Sequence, residues 1–208
     1  MSKPQPRHFS MIREFHLADV FTLANACLGT GAVLCFMRAC VDGARLFFWL
    51  GTALLPIALV MDVLDGRVAR RRGMPSPLGQ ELDSLADIVS FGVAPVAMAF
   101  AVGMRGALDA LFLVYFVACG ISRLARYNVT AASLSTPSGK VSHFEGLPIP
   151  TSLALVALLA VLAAMGHWHA ELPFGVVSIA GVDLHPLSAV FFVHGSAMVS
   201  KTLRIPKP

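Results

Sequence analysis

Six apolar runs divide this chain, and each approaches the ~20 residues that a helix needs to cross the hydrocarbon core of a bilayer. They cover residues 19–38, 46–69, 82–102, 108–127, 150–166 and 185–203. Charged residues make up 13% of the chain, well below the ~25% typical of a soluble domain. We therefore predict an all-α integral membrane protein, folded as a six-transmembrane-helix bundle. A further apolar stretch, 174–182, is too short to cross and forms either an external hairpin or part of the last span.

The segment ahead of the first run mixes basic and apolar residues. Its larger apolar side chains are Phe9, Met11, Ile12, Phe15 and Leu17. This pattern is typical of an amphipathic helix that lies in the membrane interface on anionic lipid, although an unstructured tail is the alternative. No internal repeat is present, so we expect one transmembrane domain at 18–204. We expect a cytoplasmic interfacial segment before it at 1–17 and a cytoplasmic tail after it at 205–208.

The basic residues predict the orientation of the bundle. With the N-terminus in the cytoplasm, six crossings leave only Arg38, Arg45 and Arg105 outside, and the other 13 of the 16 Lys and Arg residues inside. This asymmetry follows the positive-inside rule. We therefore expect both termini to face the cytoplasm, and we expect the protein in the cell (inner) membrane of a prokaryote.

Four aspartates lie inside or at the edges of the second and third apolar runs: Asp62, Asp65, Asp83 and Asp87. A carboxylate within a membrane segment is costly, so a cluster of them marks a functional site by default. Within each run the two aspartates are three or four residues apart, so each pair shares one face of a helix. Two helices packed with these faces together would form a four-carboxylate cage at the cytoplasmic end. Such a cage suits one or two divalent cations, Mg²⁺ or Mn²⁺.

The region between the two aspartate pairs carries small and basic residues at fixed spacing. From residue 62 to residue 87 it reads D-V-L-D-G-R-V-A-R-R-R-G-M-P-S-P-L-G-Q-E-L-D-S-L-A-D. This resembles the signature of the CDP-alcohol phosphotransferases, D-x2-D-G-x2-A-R-x8-G-x3-D-x3-D, at all eight specified positions. These are Asp62, Asp65, Gly66, Ala69, Arg70, Gly79, Asp83 and Asp87. The small residues share the aspartate faces and leave space for a nucleotide against the helix backbone.

The resemblance implies a reaction in which an alcohol hydroxyl attacks the β-phosphorus of a CDP-linked lipid and CMP leaves. It also implies that Asp62, Asp65 and Asp83 are metal ligands. Asp87 would be the general base and would also contact a second metal. The CDP-lipid would be bound by the signature positions other than Asp87, with Arg70 as the candidate phosphate ligand.

Segments outside the signature are similar to the branch of this family whose acceptor alcohol is L-serine. They are F-T-L-A-N-A-C-L-G at 21–29, D-S-L-A-D-I-V-S-F-G-V-A-P at 83–95, R-L-A-R-Y-N-V at 123–129 and F-E-G-L-P-I-P at 144–150. The resemblance implies CDP-diacylglycerol and L-serine as substrates, membrane lipid as the surroundings, a homodimer and no nucleic-acid partner. Ala18 and Asp19 depart from the Pro-Asn pair that the resemblance leads us to expect at the start of the first helix.

Polar residues at the predicted cytoplasmic ends of other helices are candidates for binding serine or the lipid phosphate. They are Asn25, Arg123, Arg126 and Asn128. A guanidinium binds phosphate or carboxylate through two parallel hydrogen bonds, which favours the two arginines. Charge anchoring is the alternative role for the arginines, and a helix–helix contact is the alternative for Asn25. The polar loop at 130–145 is a candidate lid over the substrate entrance, or else a plain connection.

Several other functions remain open at this point. Within the family, the acceptor could be glycerol phosphate or inositol phosphate, and the donor an ether lipid. Intramembrane prenyltransferases also place aspartate pairs around Mg²⁺ and a diphosphate, but the register of small residues, Arg70 and only six spans argue against them. A divalent-cation transporter would hold its acids near the membrane midplane with exits on both sides, whereas these acids cluster at one end.

Overall fold

The computed structural model describes residues 17–72, 77–133, 143–179, 181–200, 202 and 204–206. In these ranges the helices are α1 (Leu17–Asp42), α2 (Arg45–Arg72), α3 (Pro77–Asp87), α4 (Ala94–Val102), α5 (Ala107–Ser133), α6 (Leu153–Ala164) and α7 (Ala189–Val199), and the strands are β1 (His143–Glu145), β2 (Val177–Ile179), β3 (Val182–Leu184) and β4 (Arg204–Pro206). The predicted interfacial helix, apart from Leu17, lies outside the described residues.

Four helical stretches are long and apolar enough to cross a membrane. They are Ala18–Asp42, Arg45–Val68, Leu78–Val102 and Ala107–Val129. Two further apolar helices, Ile149–Ala164 and Pro186–Val199, have 10–17 residues and fall short of the ~20 needed for a full crossing. The prediction of an all-α membrane protein is thus confirmed, while six complete crossings stay a prediction.

Aromatic side chains fill the interior of the bundle. The ring centroids of Phe36 on α1 and Phe48 on α2 are 5.7 Å apart, and both side chains are fully buried. Farther along the chain, the buried rings of Phe116 on α5 and Phe191 on α7 meet edge to face at 5.3 Å. These contacts fix the helices against one another, so the polar residues near their ends have defined neighbours.

A π-helix, Ile88–Val93, joins α3 to α4 and begins directly after Asp87. Its wider turn is closed by the bond from the Ala94 N–H to the Val89 carbonyl oxygen. Single π-turns inside α-helices are rare and are frequent at functional sites. Here the turn changes the helical register between the aspartates of α3 and the buried residue Ser90, which faces α1.

Part of the short apolar stretch at 174–182 forms an antiparallel hairpin, in which Val177 of β2 stands opposite Leu184 of β3. This outcome selects the hairpin from the two alternatives that the sequence leaves open. The hairpin is held against the start of α5 by the Asp109 side chain, because its Oδ1 accepts a 2.8 Å bond from the His185 N–H.

At the aspartate end of the bundle, β1 pairs antiparallel with β4. Glu145 stands opposite Arg204 in this ribbon, so the end of the loop at 130–145 is joined to the C-terminal segment. Residues 134–142 of that loop lie outside the described residues, and its role as a lid stays a prediction.

Candidate active site

Three of the four aspartates converge between α2 and α3. Asp62, Asp83 and Asp87 each offer a carboxylate oxygen, and these atoms lie within 4.8 Å of one another. Asp83 and Asp87 are one helical turn apart on α3, while Asp62 comes from α2 and closes the group. Asp62 of α2 therefore faces the two aspartates of α3 across the site.

The trio is suited to a divalent cation. Carboxylate oxygens are the ligands that hard cations such as Mg²⁺ and Mn²⁺ prefer. Asp87 is only 7% exposed, and the buried Asp83 Oδ1 accepts no hydrogen bond from the residues that the structure describes. Because like charges this close repel and buried acceptors need partners, the arrangement fits a bound metal ion.

Asp65 lies outside this trio and bonds to α1 instead. Its Oδ2 accepts a 2.8 Å hydrogen bond from the hydroxyl of Thr22, and both side chains are buried. Asp65 still interacts electrostatically with Asp62 and Asp83, so it stands beside the trio. The structure thus brings three carboxylates together where four were predicted, and the role of Asp65 as a metal ligand stays a prediction.

Asn25 links α1 to the last aspartate. Its side chain is fully buried, and its Nδ2 lies 3.4 Å from Asp87 Oδ1 in a long hydrogen bond. The backbone oxygen of Asn25 accepts a 2.9 Å bond from the Ser90 hydroxyl. Its side-chain Oδ1 has no partner among the described residues. Asn25 is therefore held in place by protein contacts while one acceptor stays available to a ligand.

The two candidate arginines on α5 differ in burial and in their interaction with the aspartates. Arg123 is half-buried, and its guanidinium interacts electrostatically with Asp87. Its buried Nε donates to no acceptor within the described ranges. Arg126 is exposed on the surface of the same helix. The two arginines, which the sequence could not separate, thus occupy different environments.

Asn128 is engaged with α3 rather than with the trio. Its Nδ2 donates to the Ser84 hydroxyl at 3.0 Å and lies 3.4 Å from Glu81 Oε2. Its Oδ1 accepts from Gln80 Nε2 at 3.3 Å. These contacts clamp α5 to α3, and the predicted role in binding serine or phosphate stays a prediction.

The remaining signature residues lie on the two aspartate helices. Gly66 on α2 and Gly79 on α3 are half-buried. Ala69 and Arg70 belong to the last turns of α2, and their side chains fall outside the described part of the structure. Their predicted contacts with a CDP-lipid stay predictions.

Three residues that the sequence argument did not use join the site. Thr22 contacts Asp65, Ser90 contacts Asn25, and Asp19 is 3% exposed and interacts electrostatically with Asp65. Thr22 lies three residues before Asn25 in an apolar helix, so a shared polar face on α1 was the signal that could have identified it.

The apolar helices and the carboxylate trio define a helical membrane protein with a carboxylate cluster suited to a cation at one end of its bundle. A family model for CDP-alcohol phosphatidyltransferases matches residues 15–193, and the chain belongs to this family. Membership favours phosphatidyl transfer over the prenyltransferase and transporter alternatives.

Named relatives come from a yeast, a bacterium and an archaeon. Over 204 residues, 97% of this chain and 74% of the relative, the chain is 46% identical to a Saccharomyces cerevisiae protein named CDP-diacylglycerol–serine O-phosphatidyltransferase. Proteins with that name from Helicobacter pylori and Methanocaldococcus jannaschii are 36% and 32% identical over 72% and 71% of this chain. The matches span 59% and 62% of those two relatives.

Proposed function

We propose that this protein transfers the phosphatidyl group of CDP-diacylglycerol to the hydroxyl of L-serine, which yields phosphatidylserine and CMP. The observation that carries the proposal is the convergence of Asp62, Asp83 and Asp87 within a complete family signature. The names of the three relatives support serine as the acceptor and CDP-diacylglycerol as the donor.

In the proposed mechanism the serine hydroxyl oxygen attacks the β-phosphorus of the donor. A new P–O bond forms, the bond from phosphorus to the CMP oxygen breaks, and CMP leaves with that electron pair. Asp87 accepts the hydroxyl proton as the new bond forms, which is the role that the family resemblance implies for the last aspartate of the signature. Arg123 stabilises negative charge that develops beside Asp87.

Asp62, Asp83 and Asp87 would hold the divalent cation, Mg²⁺ or Mn²⁺, with Asp65 beside them. A cation held there would neutralise charge on the diphosphate and would polarise a phosphoryl oxygen. Gly66, Ala69, Arg70 and Gly79 would line the nucleotide side of the site. Asn25 Oδ1, which has no partner in the described ranges, would accept a hydrogen bond from the serine ammonium group.

The proposed setting is a membrane with the aspartate end of the bundle in the cytoplasm. The distribution of Lys and Arg supports this orientation, since 13 of 16 fall on that side when the chain crosses six times. A prokaryotic cell membrane and a homodimer belong to the same proposal. The family resemblance suggests the homodimer, whereas the relatives include a yeast protein and so do not favour a prokaryotic membrane.

The test is an acceptor panel with the purified protein. CDP-diacylglycerol, Mn²⁺ and one alcohol at a time are mixed with the protein in detergent, and CMP release is followed. We expect L-serine to be used far better than glycerol 3-phosphate or inositol phosphate. Equal use of these alcohols, or a preference for a phosphorylated one, would overturn serine as the acceptor.

A further inference from the structure

One face of α1 reaches both aspartate helices. Thr22 and Asn25 are three residues apart and therefore lie on the same side of α1. Thr22 bonds to Asp65 on α2, and Asn25 contacts Asp87 on α3. Both polar side chains are at most 3% exposed. The first helix thus supplies a third wall of the site.

Thr22 differs from the other described threonines on the first two helices. Thr30 and Thr52 each bond to the carbonyl oxygen four residues earlier, both at 2.8 Å, which is an ordinary arrangement for threonine in an apolar helix. Thr22 lies 3.2 Å from the equivalent oxygen and 2.8 Å from Asp65 Oδ2. A hydroxyl has one hydrogen, and an ionised acceptor gives the stronger bond, so the carboxylate is the favoured partner.

The position of α1 is itself fixed by close packing. Ser90 donates to the backbone oxygen of Asn25, and a Cβ on Gly29 would lie 2.7 Å from the Ser90 Cα. The backbones can approach this closely only because residue 29 is glycine. This contact sets the register of α1 against the π-helix, so the Thr22 hydroxyl reaches α2 at a defined place.

We propose that Thr22 is a positioning residue for the metal site. Its hydroxyl fixes one oxygen of Asp65, and thereby orients this carboxylate beside the trio formed by Asp62, Asp83 and Asp87. Partners that orient the groups around a metal typically change its affinity by about 10–100-fold when they are removed. The inference rests on the proposed function for its cation, but it does not depend on serine as the acceptor.

Direct Mn²⁺ binding to the purified protein tests this role without substrates. Free Mn²⁺ is measured by electron paramagnetic resonance during a titration of chelator-stripped protein. We expect Thr22→Val, which keeps the side-chain volume and removes the hydroxyl, to weaken binding about 10–100-fold. Thr22→Ser restores the hydroxyl and should bind Mn²⁺ within a few-fold of the unsubstituted protein.

Thr30→Val is the matched control, since it makes the same substitution on an exposed face of the same helix. It should leave Mn²⁺ binding unchanged. If Thr22→Val fails to fold, Thr22→Ala is measured in its place. It also removes the hydroxyl, with a smaller side chain, and should weaken Mn²⁺ binding by the same factor. Unchanged Mn²⁺ binding in the folded hydroxyl-deleted variant would overturn the inference.

CMP release separates this inference from the proposed function. If Thr22→Val weakens Mn²⁺ binding but the unsubstituted protein releases no CMP with L-serine, the positioning role stands and the proposed function fails. If L-serine supports CMP release and Thr22→Val binds Mn²⁺ normally, the positioning role alone is wrong.

Discussion

Buried aspartates occur at both ends of this bundle, but the hydrogen-bond donors around them differ between the two ends. Asp109, near the hairpin, is fully buried and has donors on both oxygens. These are the His185 N–H at 2.8 Å, His185 Nδ1 at 2.7 Å and the Gly106 N–H at 3.0 Å. At the other end, three carboxylates crowd together and Asp83 Oδ1 has no partner in the described ranges.

The contrast separates a structural acid from a ligand-binding acid. A buried carboxylate that is saturated by protein donors stabilises the fold and has little capacity left for a ligand. A group of carboxylates without such donors is unfavourable unless a cation or substrate completes it. The number of hydrogen-bond donors to each carboxylate, rather than its burial alone, therefore distinguishes the two ends and supports the proposed cation site.

The largest expected effect is at Asp87. Asp87→Asn keeps the shape and removes the proton acceptor, so CMP release should fall by about 10²–10⁴-fold while CDP-lipid binding persists. Turnover and binding of a CDP-lipid are measured on the same preparation. Turnover like that of the unsubstituted protein would remove Asp87 as the base.

The arginines of α5 offer a matched pair at the aspartate end. Arg123→Gln removes the guanidinium whose charge acts on Asp87. In the proposed mechanism this charge stabilises the negative charge that develops in the reaction, so kcat/KM should fall by roughly 10–100-fold. Arg126→Gln changes an exposed side chain and should have little effect on CMP release. Equal losses in the two variants would contradict the assignment of Arg123 to the site.

At the opposite end, Asp109→Ala should lower stability and leave chemistry intact. It leaves the His185 donors without an acceptor, and each buried unsatisfied donor costs about 1–3 kcal/mol. The melting temperature in detergent should fall, while CMP release per folded molecule should be preserved at a lower assay temperature. A loss of turnover without a lower melting temperature would contradict the assignment of a purely structural role to Asp109.

The smallest effect is expected at Asn128. If it only clamps α5 to α3, Asn128→Ala should cost about 1 kcal/mol of stability and leave the KM for serine unchanged. If Asn128 instead binds serine or phosphate, as the sequence also predicts, KM should rise without a change in melting temperature.

Much of the site was predictable because it depends on spacing within single helices. The four-residue step from Asp83 to Asp87 specifies one face of α3, and the eight signature positions specify the family. The prediction of a four-carboxylate cage depended on a less exact spacing. Asp65 follows Asp62 by three residues, roughly 60° short of a full turn, so it can face a different neighbour.

What the sequence did not predict depends on contacts between distant elements. Nothing local to Asp65 indicates that Thr22 lies beside it, because that contact requires knowing which side of α2 meets α1. The π-helix after Asp87 and the pairing of β1 with β4 likewise follow from packing rather than from residue pattern. The helices Ile149–Ala164 and Pro186–Val199 are a further example, because hydropathy predicted their positions but not their short length.

The central claim is that Asp62, Asp83 and Asp87 hold a divalent cation. It is tested most directly by titrating Mn²⁺ into chelator-stripped protein and measuring bound metal in the unsubstituted chain, in Asp83→Asn and in Asp109→Asn. Mn²⁺ should saturate the unsubstituted protein and Asp109→Asn, and binding should be lost in Asp83→Asn. Equal Mn²⁺ binding by Asp83→Asn and the unsubstituted protein would contradict the claim.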